Sequence, residues 1–299
     1  MAVTTNTTLT SDITINVREI DFVTRFEQTW DALREIMGIM RPVRKQPGTK
    51  LVASKATITL QSGTVAEGDE VPLSKAKVTP VTYEELTFQK YRKRVTAEAV
   101  DKYGAEVAVQ KTDDAFLNEI TGDVLDSFYT FLQTGTLTGT ESTFQMAVAM
   151  AVTKVADKFK KLHYSYGNII AFVNTLDVGR YLGGADISLQ TRNGIQYLKD
   201  FLGANTVIVT SEIPEKTVIA TPAENIVLYY ADVSSELTAL GLNYTVNSNP
   251  SGLIGVHKEP VYGRVSGDTH AILGMKLFAE YLDGISKITV SAASAGVGG

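Results

Sequence analysis

Three histidines, His163, His257 and His270, are the residues best suited to metal or acid–base chemistry in this 299-residue chain. They lie far apart, and none has a ligand-type residue three or four positions away, the spacing that puts two ligands on one helix face. His163 closes an amphipathic stretch, where a satisfied surface histidine is expected. Acidic pairs are the next candidates. Asp113-Asp114 suits the first turn of a helix or a solvated face, and Glu84-Glu85 suits a strand or its edge. Neither belongs to a pair of converging carboxylates of the kind general acid–base work needs. Asp69 and Glu70 offer oxygens to a cation, but their loop lacks the regular spacing of a calcium site. Phosphate-cradling glycine loops, a G-x-S-x-G elbow and an H-E-x-x-H pair are all missing from the sequence. With no cysteine in the chain, disulfides, thiolate catalysis and Cys-ligated zinc or iron–sulfur clusters are excluded. The sequence therefore points to no catalytic site, no metal and no cofactor.

Lys90, Arg92, Lys93 and Arg94 form the densest basic cluster. One reading is nucleic-acid contact. The other is a solvated or subunit-facing strand edge, since charged edges discourage unwanted pairing. A formal net charge of −5 favours the second, because a general grip on phosphate needs clustered Lys and Arg over a whole surface.

The elements that carry these residues follow from periodicity. Residues 1–16 are rich in Thr and Asn and read as a flexible arm. Val23, Phe26, Trp30, Leu33, Met37 and Met40 then repeat at three and four residues, the seam of one helix with the only tryptophan in it. That helix either packs on its own domain or docks on a neighbouring subunit. Pro42, Pro47 and Gly48 end it. Leu51–Leu60 and Val78–Val95 read as two strands of a hairpin, joined by a loop with an acidic tip at Glu67, Asp69 and Glu70. The basic cluster then falls on the returning strand. Apolar positions in this hairpin are too few for it to be stable alone, so it must lie on another surface. From Val107 to Thr134, Phe116, Ile120, Val124, Phe128 and Phe131 line one face of a helix roughly 40 Å long.

A compact middle region follows. It has an amphipathic helix over 144–162 capped near Ser142 or Thr143, a fully apolar strand at 169–173 and a short helix at 176–182. Asn193-Gly194 marks a turn, strands follow at 206–210, 217–221 and 226–231, and a helix covers 232–240. The segment 243–255 is rich in turn residues. Strands return over 261–281 and 285–291, and the last residues form a tail with little to bury. No signal peptide opens the chain and no run is apolar enough to span a membrane.

This order of parts, with the Ala66-Glu-Gly-Asp-Glu-Val-Pro72 turn, the Thr96–Thr134 stretch and the phrases around Ala271–Val290, resembles the major capsid proteins of tailed bacteriophages. These have the α+β, Hong Kong 97-like shell fold, and the resemblance covers roughly residues 45–290. It implies an N-terminal arm and helix over 1–46, an extended E-loop over 47–95 and a peripheral P-domain with a spine helix over 96–139 and 255–290. An axial A-domain then covers 140–254 and a tail 291–299. It implies a non-enzymatic subunit of hexamers and pentamers, assembled in a host cytoplasm into an icosahedral virion head around double-stranded DNA. A separate scaffolding protein or none, a portal and a decoration protein are the implied partners; a crosslinking Asn to match Lys75 or Lys77 is not identifiable. Subunit contacts are then expected at Trp30, at Glu67, Asp69 and Glu70, and at Lys90, Arg92, Lys93 and Arg94, and removing residues 1–40 should harm assembly more than folding. An encapsulin-type shell, a tail-tube component and a soluble α+β enzyme are the competing readings.

Overall fold

The computed structural model describes residues 17–37, 42–61, 63–66, 68–163, 165–184, 188–192, 195–248 and 251–291. The helices are α1 (Val17–Met37), α2 (Ala97–Ala105), α3 (Thr112–Leu132), α4 (Phe144–Lys161), α5 (Thr175–Leu182) and α6 (Val233–Ala239). The strands are β1 (Pro42–Arg44), β2 (Lys50–Thr59), β3 (Lys75–Glu85), β4 (Gln89–Thr96), β5 (Leu137–Glu141), β6 (Ile169–Asn174), β7 (Gln190–Arg192) and β8 (Ile195–Phe201). They continue as β9 (Ala204–Thr210), β10 (Thr217–Pro222), β11 (Ile226–Tyr230), β12 (Thr245–Ser248), β13 (Ser251–Val261), β14 (Ser266–Leu273), β15 (Met275–Ala279) and β16 (Ser286–Val290). Two compact units share these elements, and the division falls inside α1 and α3.

The first unit takes in residues up to Gln28, Phe88–Thr121 and Asp232–Gly274. Its framework is an antiparallel sheet in the order β12-β13-β14-β4. Register fixes what each face carries, because residues directly opposite in a ladder share a face. His257 faces His270 and Arg92, and Glu259 faces Asp268 and Arg94. Lys258, Thr269 and Lys93 therefore point the other way. On that second face lie α1 and α3: Phe22 and Tyr91 meet the Phe116 ring at 6.2 and 6.5 Å. On the first face α6 packs Val233 and Leu237 against Ile272.

The second unit is built on a mixed sheet in the order β5-β16-β10-β6-β9-β8-β7. Every residue of β6 is buried, because both of its faces are covered. Ile169, Ala171 and Val173 join Val148, Ala151 and Val155 of α4 in one apolar cluster. Phe172, on the opposite face, meets the rings of Phe128 and Tyr129 from α3 at 5.9 and 5.8 Å. A strand wrapped on both faces reads as an unbroken apolar run, as Ile-Ile-Ala-Phe-Val does. A second sheet, β1-β11-β15, takes the strand at 226–230 out of the main sheet. Among the described residues, the hairpin β2-β3 forms a two-stranded sheet of its own.

Four expectations change. The stretch 78–95 is two strands, because buried Leu86 interrupts it: its N–H donates to the Thr49 carbonyl at 3.0 Å and its carbonyl accepts from Gly48 at 2.9 Å. That closes the hairpin base, and the chain continues as β4 in another sheet. The long helix is also segmented. Gly104 leaves helical geometry at φ 79°, which only glycine adopts freely, and a π-helical stretch follows at Glu106–Lys111. The 21 residues of α3 span about 31 Å. The turn-rich segment 243–255 contains β12 and the start of β13.

The fourth change concerns Trp30, which is only 1% exposed, with Phe22, Phe26, Leu33 and Ile36 of the same helix equally inside. This helix packs on its own chain, so its tryptophan is not a surface available to a neighbour. Removing residues 1–40 is accordingly expected to unfold the chain rather than to spare it. Trp30→Ala should lower stability by about 3–5 kcal/mol, read as a shift in the urea midpoint. A midpoint within error of the parent would place the ring outside the core.

Candidate functional site

The hairpin β2-β3 carries the first candidate surface. Antiparallel pairing runs from Lys50 opposite Glu85 to Thr59 opposite Lys75, with a bulge at Ala53–Ser54 across from Pro80, where a proline costs no ladder bond. Leu51 is buried at the base. Val52 next to it is exposed, and the loop exposes Leu60, Val71 and Leu73 at 78, 62 and 91%. Asp69 donates its N–H to the Ala66 carbonyl at 3.1 Å, forming the tip turn. The Asp69 and Glu70 side chains are exposed, as are Lys75 and Lys77; Glu67 lies outside the described residues. A two-stranded ribbon with so little apolar cover is marginal in water, and large apolar side chains gathered on an exposed loop mark a contact surface.

The basic cluster sits elsewhere and does something else. On β4, Lys90 is exposed. Arg92 donates from Nε to Asp268 Oδ2 at 2.6 Å, and Arg94 donates to both Asp268 oxygens at 2.6 and 2.7 Å. The Asp268 side chain is wholly enclosed. Hydrogen bonds from Arg94, opposed by burial and joined by those from Arg92, hold its carboxyl well below the usual carboxylate range. On the other face, Lys93 pairs with Asp113, and Lys258 reaches the second Asp113 oxygen at 2.9 Å. Asp113 is 4% exposed. Burial pushes its pKa up, but the hydrogen bonds from Lys93 and Lys258 prevail and leave it below normal. Lys93 and Arg94 are therefore largely enclosed and paired, Arg92 is half exposed but bound to Asp268, and Asp113 is neither solvated nor merely a helix-end charge.

Sequence reasoning missed Asp268 and Lys258, and it took Asp113 for a first-turn or solvated acid. The Arg-x-Arg spacing of Arg92 and Arg94 put both on one strand face, which called for an acid opposite, but which acid depended on register. Near Asp268, Glu259 and His270 bring ligand-type atoms within 4.8 Å of it. Two guanidinium groups already saturate Asp268 and repel a cation, and His270 Nε2 lies 3.1 Å from Glu259. This cluster is an ion-pair lattice in a sheet.

Linkage gives a pH dependence with a definite sign. Both carboxyls are depressed in the folded chain, so their contribution is complete above the unfolded value near pH 4 and is lost as pH falls through the lower folded value. Urea midpoints should be flat from about pH 5 to 7 and drop steeply below about pH 4, with a shallower drop in Asp113→Asn. Equal acid slopes in the two proteins would remove Asp113 from the linkage.

Neither a known family profile nor a curated protein sequence matches this chain. Solved structures do. The virus-like particle from Pyrococcus furiosus is 11% identical, with 91% of this chain and 100% of that one aligned at a TM-score of 0.52. A structure from Mycobacterium phage Che8 is 11% identical over 96% of this chain and 98% of the other, TM-score 0.50. The holo-SrpI encapsulin complex from Synechococcus elongatus is 10% identical over 98% and 94%, TM-score 0.51. The chain has the Hong Kong 97-like capsid fold.

Proposed function

We propose that this chain is the major capsid protein of a tailed bacteriophage, assembling through hexamers and pentamers into an icosahedral head around double-stranded DNA. The observation that carries the reading is end-to-end likeness: similar shell proteins are covered almost entirely, and so is this chain. In this reading the hairpin β2-β3 is the extended loop that rests on an adjacent subunit. Residues 96–139 and 255–290, with α2 and α3, are the peripheral domain, and residues 140–254, with α4, are the axial domain. Closed shells repeat one weak contact many times, which suits a hairpin that is marginal alone. An acidic subunit whose Arg92 and Arg94 are consumed by Asp268 encloses DNA without gripping it. A scaffolding protein, a portal and a decoration protein are the partners this role calls for.

The encapsulin-like reading stands beside it, because the encapsulin complex is matched over as much of the chain. Electron microscopy of the purified chain, followed by nuclease protection of particles from infected or lysogenic cells, separates them. Closed shells holding nuclease-resistant DNA support the phage head; shells filled with protein favour the encapsulin; a small soluble oligomer at every concentration rejects both.

A further inference from the structure

On the helix-covered face of the four-stranded sheet, Val95, Val100, Val109, Pro260, Tyr262 and Val265 line a groove of about 730 Å³. Tyr262 and Val265 are 86 and 62% exposed, so nothing in the described chain covers this end of it. The first turn of α1 is fastened beside the groove. Glu19 accepts from the backbone N–H of Lys258 at 2.5 Å and from the Thr245 hydroxyl at 2.8 Å, and Lys258 itself lines the groove.

The segment just ahead of α1 reads Leu9-Thr-Ser-Asp-Ile-Thr-Ile-Asn16. Ile13 and Ile15 alternate with polar residues, the pattern of a strand with one apolar side. Its only charge is Asp12, whereas Arg264 lies between the exposed Tyr262 and Val265. Extended, the eight residues 9–16 reach about 27 Å from Val17, and the groove wall from Lys258 to Val261 runs about 10 Å along β13. Tethering so close gives an effective concentration on the order of millimolar. From this anchorage, reach and pattern we propose that residues 9–16 dock in the groove of their own chain as an extended segment, with Ile13 and Ile15 turned to its valines. The groove is then filled in cis, before any second copy arrives.

The native chain has no cysteine, which makes crosslinking clean. Val265→Cys would be combined in turn with Ile13→Cys, Thr14→Cys, Ile15→Cys and, as a competitor, Leu73→Cys at the hairpin tip. Disulfide formation would be followed by intact mass and non-reducing gels on the unassembled chain at about 1 µM, where a tethered pair outruns a bimolecular one about a thousandfold. Repeating the series with Val100→Cys guards against one unsuitable geometry. The expected result is intrachain bonds from positions 13 and 15 forming at least about tenfold faster than from position 14, as alternation requires. Equal rates at 13, 14 and 15, bonds formed between chains, or faster reaction from position 73 would each overturn the proposal. Shell formation is not scored, so failure here leaves the capsid reading untouched, and failure of that reading leaves this result intact.

Discussion

Asp113→Ala is expected to destabilise the chain by about 3–5 kcal/mol, because it removes the carboxylate that Lys93 and Lys258 both contact. Lys93 and Lys258 are only 15 and 13% exposed, and Asp113 contacts both. Denaturant unfolding at pH 7 measures the loss. The triple change Asp113→Leu, Lys93→Met, Lys258→Met should recover most of it, since exchanging a buried ionic group for apolar residues of similar volume is often neutral or better. A loss below about 1 kcal/mol in Asp113→Ala would mean the lysines reach solvent freely.

The largest effect on assembly is expected from the hairpin. Replacing residues 60–74 with Asn-Gly joins Thr59 to Lys75, which are already opposite each other, by a two-residue turn suited to the ribbon's twist. The loss of exposed Leu60, Val71 and Leu73 should leave stability within about 0.5 kcal/mol while closed shells disappear from micrographs. Charge reversal of Glu67, Asp69 and Glu70 to Lys is the milder version and should act in the same direction. Normal shells from the shortened hairpin would remove this loop from the assembly mechanism.

These two experiments probe opposite ends of what could be read without coordinates. Helices α1, α4, α5 and α6 and strands β6, β9 and β10 were visible because each buries one face or both, and burial imposes a period of 3.6 or 2 on the chain. The cap at Thr143, which accepts from Met146 N–H at 3.2 Å, is equally local chemistry. The hairpin's poverty in apolar residues was visible for the same reason.

Partnership between distant segments was not. Nothing local distinguishes Lys90–Arg94 on a hairpin from the same residues on β4; the switch depends on Leu86 closing the hairpin base and on the register that sets Asp268 opposite Arg94. Asp113 looked like an ordinary first-turn acid until Lys93 of β4 and Lys258 of β13 converged on it. Composition and periodicity are short-range and determined the elements and the hairpin's shortage of apolar residues. Which charges are spent inside the fold, and which remain for a neighbour, was decided only when strands far apart in sequence were paired, because ion pairing depends on distances of a few ångströms that no linear spacing records.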